Sequence, residues 1–235
     1  ATNMFFYDLV MGHRWIIGGD ELLAGCDHHR DAARIPLHEA TRLLFNRCSG
    51  LLFAKERLMR DAFTAADADF VGRNLAKAQL ALGDVILASR GQYHWSCVER
   101  QRRLKADPSL CAHHAAGVAF KLHPQRSILS RSELLKQHAA LTQLAEKVFL
   151  QLESRRLAQT FHTVKNYVES SMNKCPEQPV WKNVLVHWKT RGVPQRMTRY
   201  PREHLLHELA LLLWDGKVVT PATVGAYEAL WGRFN

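Results

Sequence analysis

Apolar residues recur along most of this chain at helical intervals. From Pro36 onward, Ala40, Leu43, Leu44, Cys48, Leu51 and Leu52 follow steps of three and four, predicting a helix over "IPLHEATRLLFNRCSGLLFAKERL" with Pro36 suited to its first turn. Phe70, Val71, Leu75, Ala78, Leu82, Val85 and Ile86 repeat the pattern in "DFVGRNLAKAQLALGDVILASR", a second helix stopped at Gly91. Ser130 and Glu133 have capping-box spacing ahead of Leu134, Leu141, Leu144, Ala145, Val148 and Leu152, a third long helix. Shorter helices are expected over 160–172, 181–191 with Gly192 as the stop, 202–214 between Pro201 and Gly216, and 221–233. The prolines of "KCPEQPV" and the stretch from Gly192 to Pro201 read as loops.

The opening departs from this rhythm. Residues 4–18 are rich in Phe, Tyr, Val, Trp and Ile and run to Gly18-Gly19, the pattern of a strand or strand pair closed by a turn. A lone hairpin is not stable in water, so it needs partner strands or a helical surface to lie on. The expected fold is therefore mainly α: a helical bundle, residues 31–235, preceded by a short β remnant, residues 1–30, of a truncated α/β domain. An exposed β edge at residues 4–17 would favour a homodimer.

Composition narrows the setting. A chain of 235 residues, 47% apolar, can bury a real core. Lys and Arg number 32 against 22 Asp and Glu, a formal charge of +10 that favours polyanions, nucleotides or an acidic partner. The five cysteines are odd in number and form no Cys-x-x-Cys pair, which argues against a disulfide framework or zinc ribbon and fits a reducing cytoplasm. The longest late apolar run, "LALLLW", is too short to span a bilayer, so no membrane partner is expected.

Two polar stripes interrupt the long helices. Arg42, Asn46 and Ser49 share a face of the first, and Arg73, Lys77 and Asp84 share a face of the second. If the faces meet, they form a phosphate-binding pocket; if they do not, they are the solvent sides of two amphipathic helices.

The blocks "EATRLLFNRCSGLL", "RNLAKAQLALGDVILASRGQYHWSCVERQRRL", "AFKLHP" and "YPREHLLHELALLL" resemble the helical C-terminal region of bacterial proteins in the nucleotidyltransferase superfamily, the kanamycin nucleotidyltransferase-like and minimal nucleotidyltransferase-like group. The resemblance implies an N-terminal α/β domain that transfers a nucleoside monophosphate from an NTP with two Mg2+ ions, and a helical domain that closes the pocket. Together with the two stripes, it nominates Arg42, Asn46, Arg47, Arg73, Lys77, Asp84 and Tyr93 as nucleotide- or acceptor-binding residues, Arg47 entering through the "FNR" block of the resemblance. It also makes Asp8, in "FFYDLVMGH", either the third carboxylate of that catalytic set or an aspartate at a strand end with no metal to hold.

The family's catalytic signature, a Gly-Ser turn followed by Asp-x-Asp on a strand, does not occur in this sequence. The one Asp-x-Asp, Asp67 and Asp69, falls between helices, where Asp69 suits an N-cap. Mg2+ and NTP are thus expected only of an intact enzyme, and the chain as given is expected to grip nucleotide without turnover, toward a small-molecule, RNA or protein acceptor. The rival reading is a non-catalytic helical module for protein or RNA, akin to HEPN-type domains. The loose Arg-to-His spacing of RNA-cleaving HEPN-type domains is met by Arg202 and His207 and by Arg131 and His138, as chance also allows in a chain with 13 His and many Arg. His28-His29, His113-His114 and His204 with His207 lack a third ligand at metal spacing, and no metal is expected. Tyr93, Trp95 and Trp188 suit either base stacking or packing.

Overall fold

The computed structural model describes residues 2–17, 20–190 and 196–234. It is mainly helical, and no strand occurs among the described residues. In chain order the helices are α1 (Met4–Gly12), α2 (Leu37–Leu58), α3 (Ala65–Ser89), α4 (Cys97–Arg103), α5 (Pro108–Leu122), α6 (Arg131–Leu157), α7 (Val164–Glu169), α8 (Val180–Thr190), α9 (Arg202–Leu213) and α10 (Pro221–Phe234). Short 3-10 turns between residues 20 and 34 join α1 to α2.

The bundle is built on α2 and α3, which lie along each other; α6 packs on both, α5 on α3, and α9 with α10 on α2. The apolar positions read from the sequence form this centre: Leu44, Cys48, Leu51 and Leu52 of α2, Val71, Leu82 and Val85 of α3, and Leu134, Leu141 and Ala145 of α6 are all buried. The helix starts follow capping chemistry. Ser130 and Glu133 form the expected capping box of α6. Thr64, not Asp69, caps α3: its hydroxyl accepts from the Asp67 amide while the Asp67 carboxylate accepts from the Thr64 amide. Gly91, at φ +69, lets the chain leave α3 in a left-handed turn.

Two corrections follow. The segment expected as strand is helix α1: Asn3 accepts from the Phe6 amide at 2.8 Å, and Tyr7 and Val10, three apart, turn into the protein. An apolar run of this length carries no period that distinguishes a buried strand from a helix, and here the N-cap decides. The β edge at residues 4–17 is accordingly absent from the described residues and supports no dimer. The short helix expected over 160–172 shrinks to α7, because Ser170 ends it in extended backbone. The expected stops at Gly18-Gly19 and Gly192 lie outside the described residues. No helix among the described residues is long and apolar enough to cross a membrane.

Between α3 and α6 the chain forms α4 and α5, which the apolar period did not announce. Asp107 caps α5 with Pro108 in its first turn. Gly117 lets α5 press onto α3 so closely that a Cβ there would sit 2.5 Å from the Leu80 backbone nitrogen.

Candidate functional site

A cleft of about 350 Å³ opens among residues of α1, α2, α3, α4 and α5. Its floor is α2, which contributes Glu39, Arg42, Asn46 and Arg47 from successive turns of one face. Helix α3 adds Asp84, α1 adds Asp8 and Phe5, the turn before α4 adds Tyr93, α4 adds Arg100, and α5 adds Lys121. Six of the eight residues singled out in the sequence, Asp8, Arg42, Asn46, Arg47, Asp84 and Tyr93, thus line one cavity.

Arg73 and Lys77 do not. Both are exposed, and Arg73 pairs with Asp69 one turn away at 3.1 Å. They share a helical face with Asp84, but only the C-terminal half of that face is covered by α4 and α5. Ser49 also leaves the expected stripe: its buried hydroxyl bonds the Phe45 carbonyl at 2.9 Å and the Tyr227 hydroxyl at 2.7 Å.

A chain of one ion pair and several hydrogen bonds runs from the interior to the cleft. Asp84, buried, has its Oδ1 2.7 Å from Arg100 Nε as an ion pair, and the same oxygen accepts from His114 Nε2 at 2.9 Å. Arg100, 2% exposed, donates through Nη1 to the carbonyls of His94 and Trp95 at 2.6 and 3.1 Å and to the Tyr93 hydroxyl at 3.0 Å. The Tyr93 hydroxyl in turn donates to Asp8 Oδ2 at 3.0 Å. Burial pushes the Asp8 carboxyl above its usual range, against the opposing pull of Arg100 and of the Tyr93 bond. Tyr93 is itself pushed up by burial, which keeps it a neutral donor.

Three polar groups are left over. Asp8 Oδ1 and Asn46 Oδ1 are closed off from water without a hydrogen-bond partner. Arg47 is half-buried, and no hydrogen bond or close ion pair engages it among the described residues. Burial lowers its guanidinium below the ordinary value, with Asp84 acting in the opposite direction from a distance. Arg42 is held by Glu39 at 3.1 Å, while Lys121 stands exposed at the rim. The cleft therefore presents one partly desolvated, uncommitted guanidinium, a donor suited to a planar or tetrahedral oxyanion, beside two unused acceptors suited to O–H or N–H donors.

Arg100 and Lys121 were legible in outline: "SCVE" has capping-box spacing for α4, and both residues lie inside blocks quoted for the resemblance. Glu39 is the first-turn acid of α2 and gave no signal of its own.

The cleft does not suit Mg2+. Asp84 is committed to Arg100 and His114, Glu39 to Arg42, and four cations face the same space. Among the described residues no group of three His, Cys, Asp or Glu is placed to hold a metal ion. Asp67 is spent on Thr64, Arg57 and Arg60.

The Arg-His pairs of the rival reading do not converge. Arg131 donates to the Leu58 carbonyl and buried His138 to the Leu51 carbonyl. Arg202 reaches the Phe234 carbonyl, while burial and then Lys174 push His207 down to about 4. Tyr93 packs edge-on against Tyr7 rather than offering a stacking face, whereas Trp188 is exposed. Comparison with protein-family models, with curated proteins and with solved structures finds no match in any of the three.

Proposed function

We propose that this chain is the nucleotide-gripping helical region of a nucleotidyltransferase-like protein, and that the cleft beside α2 holds the phosphates of an NTP. One observation carries the reading: a half-buried arginine without a close counter-ion, Arg47, lines a cavity together with Asn46 and Arg42 of the same helix and Lys121 of α5. Leaving a guanidinium partly desolvated costs free energy that an oxyanion ligand returns, so the arrangement is economical only when a ligand is part of the design. The transfer chemistry, in-line attack of an acceptor hydroxyl on the α-phosphate, is not assigned to these side chains; their part is binding and positioning. The bundle contributes rigidity, since Asn46 and Arg47 sit mid-helix on α2 with neighbours locked in the core.

Calorimetric titration with ATP tests the reading. Arg47→Ala should weaken binding about tenfold or more, the scale of a charge-assisted hydrogen bond. Lys77→Ala, on the solvent side of α3, should stay within about twofold, since exposed charges contribute little. Equal losses in both variants would indicate diffuse attraction to a basic surface and refute the cleft.

A further inference from the structure

Resting on that reading, the geometry points to a selectivity that the grip on phosphate does not require: the cleft takes a phosphate ester bearing neutral hydroxyls, such as a ribose diol, and rejects an aminated, cationic counterpart. The first half of the argument concerns the carboxylate. Asp8 keeps one oxygen on the Tyr93 hydroxyl and leaves Oδ1 without a partner or access to water. An acceptor stranded in this way is completed by an O–H or N–H donor of the ligand, and Asn46 Oδ1, likewise without a partner, lines the same cleft.

The second half concerns which donor. A carboxylate alone would favour an ammonium, but Asp8 shares its cavity with Arg42, Arg47, Arg100 and Lys121 against only Glu39 and Asp84 as further acids. The local sum is one positive charge, in a chain that is itself +10. An ammonium entering this space is opposed by that net positive charge, uncommitted Arg47 included, whereas a hydroxyl donates the same hydrogen bond without a charge. The phosphate on Arg47 and the hydroxyl on Asp8 are then held by different helices lining one cleft, α2 and α1.

The wild-type protein decides this without a variant, by calorimetric titration with ATP, with 2′,3′-dideoxy-ATP and with kanamycin as the polycationic aminosugar. ATP should bind about tenfold or more tightly than the dideoxy analogue, the loss expected when a hydrogen bond to a charged group is removed. Kanamycin should give no saturable heat. Asp8→Asn, nearly isosteric and checked for folding by thermal melting, should bring ATP and the dideoxy analogue to within about twofold by removing the charged acceptor. Arg47-dependent binding with equal affinity for the two nucleotides would overturn this inference alone, as would kanamycin binding that Asp8→Asn abolishes. No saturable ATP binding would overturn the nucleotide reading and this selectivity with it.

Discussion

Arg100→Met asks whether the interior of the site is as dry as its geometry implies. The side chain is 2% exposed, its Nε lies 2.7 Å from Asp84 Oδ1, and its Nη1 serves the His94 and Trp95 carbonyls and the Tyr93 hydroxyl. Removing it strands the Asp84 carboxylate, itself buried and left with His114 alone. Breaking one partner of a buried pair costs about 3–5 kcal/mol. With an m-value of about 3 kcal/mol per molar in urea, near the upper range for small domains, the midpoint should fall by about 1 to 1.7 M. Asp84→Leu combined with Arg100→Met should lose less than the two single variants summed, with a coupling of about 1–3 kcal/mol, because the double variant leaves neither charge unpaired. Urea unfolding followed by circular dichroism measures all four proteins of the cycle. A midpoint shift below about 0.3 M at unchanged m would mean that water reaches the pair, and the dry relay from Asp84 to Asp8 would be refuted.

Other outcomes are equally specific. Gly117→Ala should destabilise by about 1–3 kcal/mol despite alanine's better helix propensity, because the new methyl meets backbone atoms of Leu80 at 2.5 and 2.8 Å that cannot turn aside. Gly225→Ala on α10, where nothing lies within 4 Å, should stabilise by about 0.5–1 kcal/mol; thermal melts read both signs. His207, pushed down to about 4 first by burial, has a folded value below its unfolded one, so its contribution is intact above the unfolded value and is lost as pH falls toward 4. Wild type should therefore lose up to about 3 kcal/mol relative to His207→Gln between pH 6.5 and 4, and parallel urea midpoints across that window would refute it. Of the five free cysteines, Cys26 and Cys111 are half-buried and should react first with a thiol reagent, while Cys48, Cys97 and Cys175, buried, should wait for denaturant.

The legible parts of this protein were those where one residue type has one physical reason to be where it is. Leu51 and Val71 announced their helices because only burial explains apolar residues at such spacing, and both are fully buried. Ser130 and Glu133 announced a helix start because reciprocal capping needs that interval. Residues 4–12 misled because every position is compatible with strand or helix, and the deciding hydrogen bond comes from Asn3, outside the apolar run. The cleft was half legible for a related reason. Helical spacing placed Arg42 beside Asn46 and Arg73 beside Lys77, yet which turns of a polar face are roofed depends on segments distant in sequence. The turn from Tyr93 to Arg100 and the close seat of α5 at Gly117 cover Asp84 and leave Arg73 in solvent.

That roof also explains why a buried ion pair sits where apolar residues of similar volume would be as stable or more so. Asp84 and Arg100 add little net stability as a pair, but the pair fixes direction. Arg100 holds the two carbonyls that shape the turn and presents a donor to the Tyr93 hydroxyl, whose own proton is thereby aimed at Asp8. With that proton spent, one oxygen of Asp8 remains, and its acceptor is oriented before any ligand arrives. Tyr93→Phe separates this orienting role from mere packing: the ring and its contact with Tyr7 stay, while Asp8 loses its donor and rises further toward protonation. Stability should change by only about 1 kcal/mol. The preference for ATP over its dideoxy analogue should fall as pH is lowered, starting at higher pH than in wild type. An unshifted pH profile would show that Tyr93 packs against the site without orienting it.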